Sequence, residues 1–220
     1  MTTLIVMAKE CLPGRVKTRL HPPLSLADAA RVAQACLDDT VARTRDVADR
    51  RVLCVQGTLP EIAGFDQVPQ VGGGLDARIG AVLDDVRGPV LLIGMDTPQL
   101  DTVLLQRLAT RWPDDVDAWF GPAVDGGFWL LGLADEVGSR RGDLVRGVPM
   151  SQDDTGARMR DRLVDAGLRV RDIGMLQDID DITSLRAVGR DVDDTGRVAA
   201  VLGELRRRGA LGSARIGGVA

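Results

Sequence analysis

Two rhythms of apolar residues alternate along the chain: short continuous runs, and stretches where apolar residues recur every third or fourth position. The first rhythm predicts buried strands and the second one-sided helices. Residues 4–8 form the first run, which ends in a loop over residues 9–23 containing Pro and Gly. Ser25 then opens a helical pattern with Ala29, Val32, Ala33, Cys36, Leu37 and Val41 on one face, and Asp28 stands where a capping box needs an acceptor. Residues 51–56 and 67–71 predict a second and a third strand. Gly72, Gly73 and Gly74 lead into a helix whose apolar face is Ile79, Val82, Leu83 and Val86. Residues 89–94 are the clearest central strand, and they stop at Met95-Asp96-Thr97-Pro98. Asp101 is placed to cap a helix carrying Leu104, Leu105 and Leu108, and residues 116–120 predict the next strand. A turn over residues 121–127 precedes the apolar run 128–133; a helix over about 153–166, a strand over 168–173 and a helix over 198–208 complete the pattern.

The sustained strand–helix alternation predicts an α/β, Rossmann-like fold with a mostly parallel central sheet and helices on both faces. Residues 1–208 read as one domain and residues 209–220 as a disordered tail. Hydrophobic residues make up 45% of the 220 and aromatics only 3%, so the core must come from Val, Leu, Ile and Ala. A net charge of −4 supplies no general basic field, which argues against a nucleic-acid partner and makes any phosphate contact local. No apolar run reaches the roughly 20 residues that span a bilayer, and the first residues lack the features of a secretion signal, so a cytoplasmic protein with no membrane partner is expected. Cys11, Cys36 and Cys54 are odd in number and lack metal-pair spacing, which predicts free thiols.

In open α/β sheets ligands gather beyond the carboxyl ends of strands, so residues just after each strand carry the candidate chemistry. Lys9 and the run Pro13-Gly14-Arg15-Val16-Lys17-Thr18-Arg19 follow the first strand, offering glycine, backbone amides and alternating cations to a polyphosphate, although solvated surface charge is the plainer reading. Of the 28 basic residues only Lys9 and Lys17 are lysines, and both lie in this loop. Arginine-biased codons explain that as readily as a need for lysine's compact charge at a phosphate. The glycines after the third strand, with Arg78, either make room for a base or phosphate or form a simple connector. Asp96 ends the strong central strand in apolar surroundings, and because Asp101 is the better cap, Asp96 is free to ligate a divalent cation. Asp125 sits in an Asp-Gly turn pair, which is ordinary turn chemistry as well as a close-approach site. Asp178, Asp180 and Asp181 cluster after the last strand, toward a metal, a substrate or, for Asp181, a helix cap. A lone His21 excludes a His-based metal triad, and no Gly-x-Ser-x-Gly elbow is present, which disfavours serine hydrolysis.

Taken together, Met7-Ala8-Lys9, Pro13-Gly14-Arg15-Val16-Lys17-Thr18-Arg19-Leu20, Gly94-Met95-Asp96-Thr97-Pro98 and Gly121-Pro122-Ala123-Val124-Asp125-Gly126-Gly127-Phe128 resemble the rSAM/selenodomain-associated transferase 1 family, over residues 3 to about 190. That family is glycosyltransferase-like, with the GT-A fold of nucleotide-diphospho-sugar transferases. The resemblance implies a nucleotide site built from Lys9, Gly14, Arg15, Lys17, Arg19, Gly73, Gly74 and Arg78. It also implies Asp96 as the metal carboxylate, Asp180 as a second metal ligand, and Mg²⁺ or Mn²⁺ as cofactor. The chain departs from the family pattern at Glu10-Cys11, at Phe128-Trp129 and at Asp181-Ile182.

Three functions are compatible with these residues. The leading one is glycosyl transfer from a nucleotide sugar to a small-molecule acceptor, with Lys17, Asp96 and Asp125 as catalytic residues and Asp125 or Asp153 handling the acceptor hydroxyl. The second is nucleotidyl transfer from an NTP, for which the Arg15/Lys17/Arg19 loop is well suited, whereas the Asp-x-Asp pair common in glycosyltransferases is interrupted here by Pro98. The third is a nucleotide-binding protein without catalysis.

Overall fold

The computed structural model describes residues 1–137 and 140–211, and most of the expected C-terminal tail, residues 212–220, lies outside them. Its described beginning leaves the last helix in a turn with Leu211 buried.

Seven strands form one sheet: β1 (Thr3–Lys9), β2 (Arg50–Gln56), β3 (Asp66–Pro69), β4 (Val90–Gly94), β5 (Ala118–Pro122), β6 (Phe128–Leu133) and β7 (Val170–Asp172), in the order β3-β2-β1-β4-β6-β5-β7. The pairs β1–β2, β1–β4, β2–β3 and β5–β7 are parallel, and β6 runs against both its neighbours. The reversal of β6 has a local cause. Only residues 123–127 separate it from β5, too few for the crossover that a parallel neighbour requires, so the two strands form a hairpin.

The helices are α1 (Leu26–Thr44), α2 (Leu75–Asp84), α3 (Thr102–Thr110), α4 (Thr155–Asp165), α5 (Ile182–Val188) and α6 (Arg197–Arg207). Alternate side chains of β1 enter opposite layers, which is why the strand reads as a continuous apolar run. Leu4, Val6 and Ala8 join Ala33, Leu37, Leu105 and Leu108 of α1 and α3 on one face. Ile5 joins Ile79, Leu83, Met159 and Leu163 of α2 and α4 on the other. A third cluster packs α1 against α5 and α6 through Val32, Cys36, Leu185, Val188, Val198 and Leu202.

The caps fall where the side chains require them. Ser25 Oγ accepts from the amide of Asp28 at 3.0 Å and donates to its carboxylate at 2.8 Å. Asp101 accepts from the amides of Val103 and Leu104. Asp181 is the cap of α5, with Ser184 returning the bond to complete a capping box. That helix is an addition to the elements expected from periodicity, since its single pair of turns is too short to show a face. The strand expected at 116–120 lies two residues later, because Val116 closes a turn on Pro113. Gly121 is therefore inside β5, where a Cβ would stand 2.6 Å from the Trp129 indole nitrogen. The sheet permits that close approach only with glycine.

Candidate functional site

A cavity of about 520 Å³ opens at the carboxyl ends of β1, β2 and β4 and the beginning of antiparallel β6, so all four strand ends share one edge of the sheet. The first loop, the start of α2, the β5–β6 turn, residues 150–152 and the run ending at Asp180 complete its wall.

Lys17 and Asp96 meet in it. The first loop closes in a 3₁₀ turn, Thr18–Leu20, whose leading residue Lys17 has φ 48. Left-handed backbone there turns the side chain back toward β4, and Lys17 Nζ lies 2.9 Å from Asp96 Oδ2. The lysine side chain is only 5% exposed, against 35% for the aspartate. Burial works against its charge, but the Asp96 carboxylate, through its field and its hydrogen bond, outweighs that and holds the ammonium's pKa above the ordinary value. The other oxygen, Asp96 Oδ1, is buried and has no hydrogen-bond partner. An acceptor left in that state is one for which a cation or a donor is due.

The late carboxylates reach the same place by backbone pairing. Leu176 bridges to Ala123, Ile179 N–H donates to the Asp96 carbonyl at 3.0 Å, and Gln99 holds the Gln177 carbonyl. Ile179 is fully buried, so its neighbours Asp178 and Asp180 both turn to the cavity. Asp178 is pushed up to about 6, first by burial and then by the charge of Asp125. Asp180 is held by Arg19 in an exposed ion pair, and Asp181 is occupied as a cap. Asp125 lines the cavity while its Oδ1 accepts from the Gly127 amide at 2.8 Å.

Of the other candidate residues, Lys9, Arg15 and Arg78 also line the cavity. Gly14, Gly73 and Gly74 do not; Gly14 (φ +76) and Gly73 (φ +102) supply turns, and Gly74 starts α2. Arg78 is tied to the Gly73 carbonyl at 2.9 Å. Asp153 is exposed and outside the wall, its carbonyl packed on Gly126, and His21 lies away from the cavity with its ring against the Leu24 carbonyl.

Several wall residues carried no separate weight in the sequence. Gln70 donates to the Ala8 and Cys54 carbonyls, locking its amide across β1 and β2. Ser151, at φ 58, lies in the wall just before α4, and the Thr155 hydroxyl fixes that turn by donating to the Pro149 carbonyl and accepting from the Gln152 amide. Asp178 had a legible signal, because an isolated Ile between two Asp residues marks an alternation with both carboxylates on one side.

Residues 27–152 match the family described as an uncharacterized protein conserved in bacteria (DUF2064). The chain belongs to the DUF2064 family. The stretch shared with DUF2064 runs from α1 to Gln152 and contains Asp96 and Asp125, while Lys17 and Asp178 flank it. Among curated proteins none matches. Among solved structures, this DUF2064 chain is similar to a candidate nucleotide-diphospho-sugar transferase from Desulfovibrio desulfuricans G20, with a TM-score of 0.83, 22% identity and 96% of each chain covered. It is similar also to CMP:2-keto-3-deoxy-manno-octonic acid synthetase complexed with CTP, with a TM-score of 0.55, 11% identity, and 93% of this chain and 99% of that one covered. Rv0371C from Mycobacterium tuberculosis H37Rv, complexed with manganese, gives a TM-score of 0.50 at 23% identity, covering 85% and 96%. At these identities the likeness establishes the fold: Rossmann-like GT-A, mostly parallel, with helices on both faces of the sheet.

Proposed function

We propose that this protein is a metal-dependent transferase that uses a nucleotide-activated donor, and that it transfers a glycosyl group from a nucleotide sugar to a small acceptor. The observation that carries the reading is the meeting of the first-loop cation Lys17 and the strand-end carboxylate Asp96 inside one cavity. Likeness in fold to a candidate nucleotide-diphospho-sugar transferase supports it. The reading treats residues 1–208 as one such domain of the rSAM/selenodomain-associated transferase 1 type, working in the cytoplasm. Among the described residues no helix is long and apolar enough to cross a membrane.

The residues fit a divalent cation of a particular kind. Among those described, no three carboxylate, His or Cys side chains converge into a cage. Asp96 nevertheless has a buried, unpartnered oxygen, which suits Mg²⁺ or Mn²⁺ held by one or two carboxylates together with water and phosphate oxygens. Asp96 would hold the ion, with Asp180 or Asp178 second, and the ion would neutralise charge on the departing diphosphate. Lys9, Arg15, Lys17 and Arg19 would bind the phosphates, and Arg78 with the Gly73–Gly74 turn would position the base. Asp178, its pKa pushed up to about 6, and Asp125 would orient or deprotonate the acceptor hydroxyl.

Nucleotidyl transfer from an NTP is the second reading. Three cations, Arg15, Lys17 and Arg19, line one side of the cavity, as the β and γ phosphates of an NTP require, and Asp96 is the only aspartate of the run Met95 to Pro98. A thermal-shift screen of NTPs and nucleotide sugars, with and without Mg²⁺ or Mn²⁺, tests the common reading. Release of NDP from a nucleotide sugar supports glycosyl transfer, pyrophosphate from an NTP supports the second reading, and no stabilisation by any nucleotide removes both.

A further inference from the structure

The Lys17–Asp96 pair poses a problem for a metal-binding carboxylate. Asp96 Oδ2 is occupied by an ammonium at 2.9 Å, and that ammonium is almost wholly removed from water. A buried lysine held by one carboxylate cannot leave it for solvent without a large desolvation imbalance inside the site. A divalent ion brought to Asp96 Oδ1 would face the positive charge of Lys17 across a single carboxyl group. The anionic or ionisable groups around Lys17 are Asp96, Asp178, Asp180 and the thiols of Cys11 and Cys36. Of the two other carboxylates, Asp180 is already held by Arg19, and Asp178 forms no ion pair with Lys17, so neither takes the ammonium as the groups stand if Asp96 is taken by a metal.

A diphosphate does relieve it. Arg15 and Arg19 flank Lys17 in the same cavity wall, so an anion drawn to the loop meets the lysine as well. Lysine's flexible stem can swing its charge from one anion to another where arginine's fork is less free. We propose that Lys17 is a tethered placeholder on Asp96, which withholds the carboxylate from a divalent cation until a diphosphate draws the ammonium away. The inference rests on the reading of Asp96 as the metal carboxylate and adds an order to it: donor phosphate and metal bind with positive coupling, each raising the affinity of the other by the same factor.

Two measurements on the full chain test it, neither needing turnover. Free Mn²⁺ is followed by electron paramagnetic resonance with wild type, Lys17→Met and Asp96→Asn, in the absence of any phosphate. The K17M protein is expected to bind Mn²⁺ at least tenfold more tightly than wild type, and D96N at least tenfold more weakly than K17M; equal or weaker binding by K17M overturns the placeholder. Because the chain has only two lysines, ¹³Cε-labelled lysine yields two side-chain signals, assigned with Lys9→Arg. The Lys17 signal is expected to move in D96N and also when inorganic pyrophosphate is added to metal-free wild type. A Lys17 signal that stays fixed while pyrophosphate binds overturns the proposal even if K17M does not fold. The two failures are separable. If D96N binds Mn²⁺ as tightly as K17M, or pyrophosphate does not bind, the reading of the site falls and the placeholder with it; if both bind as expected but K17M gains nothing, only the placeholder falls.

Discussion

Asp39, buried within α1, accepts the backbone amides of Arg197 at 2.7 Å and Val198 at 2.9 Å, so the last helix is capped by a residue 158 positions earlier. Gly196 is the neighbour this requires, since a Cβ there would lie 2.8 Å from Asp39 Oδ2. The Asp39→Ala protein is expected to lose about 1–3 kcal/mol, because two helix-end donors become unsatisfied against a buried surface. Asp39→Asn, with one acceptor oxygen, should fall between the two. Urea denaturation measures the order, and equal stability of all three proteins would refute it.

Asp178 contributes a stability change of the opposite sign. Its pKa is pushed up to about 6 in the folded protein, above the ordinary 3.8, so folding disfavours its charged form. The penalty is absent below pH ~4, grows between pH ~4 and ~6 and is constant above that. Asp178→Asn should therefore be more stable than wild type at pH 7.5, by on the order of 1 kcal/mol after solvent screening, with the gain gone by pH 4. Paired melting curves across that range test it; a gain that persists at pH 4 contradicts it.

Asp117 titrates in the other direction. Arg169 donates to it through the side chain and the backbone amide, at 2.7–2.8 Å, and lowers its pKa to about 2. These bonds join the residue before β5 to the residue before β7. Stability from a depressed carboxylate is present above the ordinary pKa and is lost as pH falls toward the folded value. Asp117→Asn should be about 1 kcal/mol less stable at pH 7, and its gap to wild type should close between pH ~4 and ~2.

Gly126 holds the β5–β6 turn against α4. It has φ +88, and a Cβ would stand 1.9 Å from the Asp153 carbonyl, while its own carbonyl accepts from Gly156 N–H at 2.7 Å. Gly126→Ala should lose more than about 2 kcal/mol, from the left-handed backbone and from a clash with main chain that cannot yield. Because the turn carries Asp125 and Gly127 into the cavity, the same change should weaken any nucleotide-induced thermal shift. An Ala variant with wild-type melting and ligand response would argue against both statements.

At the site itself, Asp96→Asn should abolish the metal-dependent part of any nucleotide-induced thermal shift while the protein remains folded. It should also melt lower than wild type, since Lys17 keeps a buried charge without its counter-ion. Adding Lys17→Met to Asp96→Asn should recover part of that loss. Lys17→Ala by itself should weaken donor binding in titration calorimetry, and unchanged affinity would remove Lys17 from the phosphate site.

Local rules of side chains and backbone were enough to predict the fold class, most elements and several caps. The runs that became β1, β2 and β4 are continuous because both faces of those strands are covered, and Ser25 and Asp101 cap helices because their oxygens reach unsatisfied amides wherever the chain turns helical. Candidate residues at strand ends were also legible, because a parallel sheet sends all those ends to one edge. Partnership was not. That Asp39 caps α6, that β6 enters between β4 and β5, that Ile179 bonds to the Asp96 carbonyl and that Asp180 is taken by Arg19 are contacts between segments far apart in sequence. Such contacts form only after the sheet has assembled, and no periodicity along the chain records which distant donor a carboxylate will meet. Which chemical groups stand at the edge of the sheet follows from local order along the chain; which of their charges neutralise one another follows only from packing, since burial in a common cavity is what makes each charge depend on its neighbour.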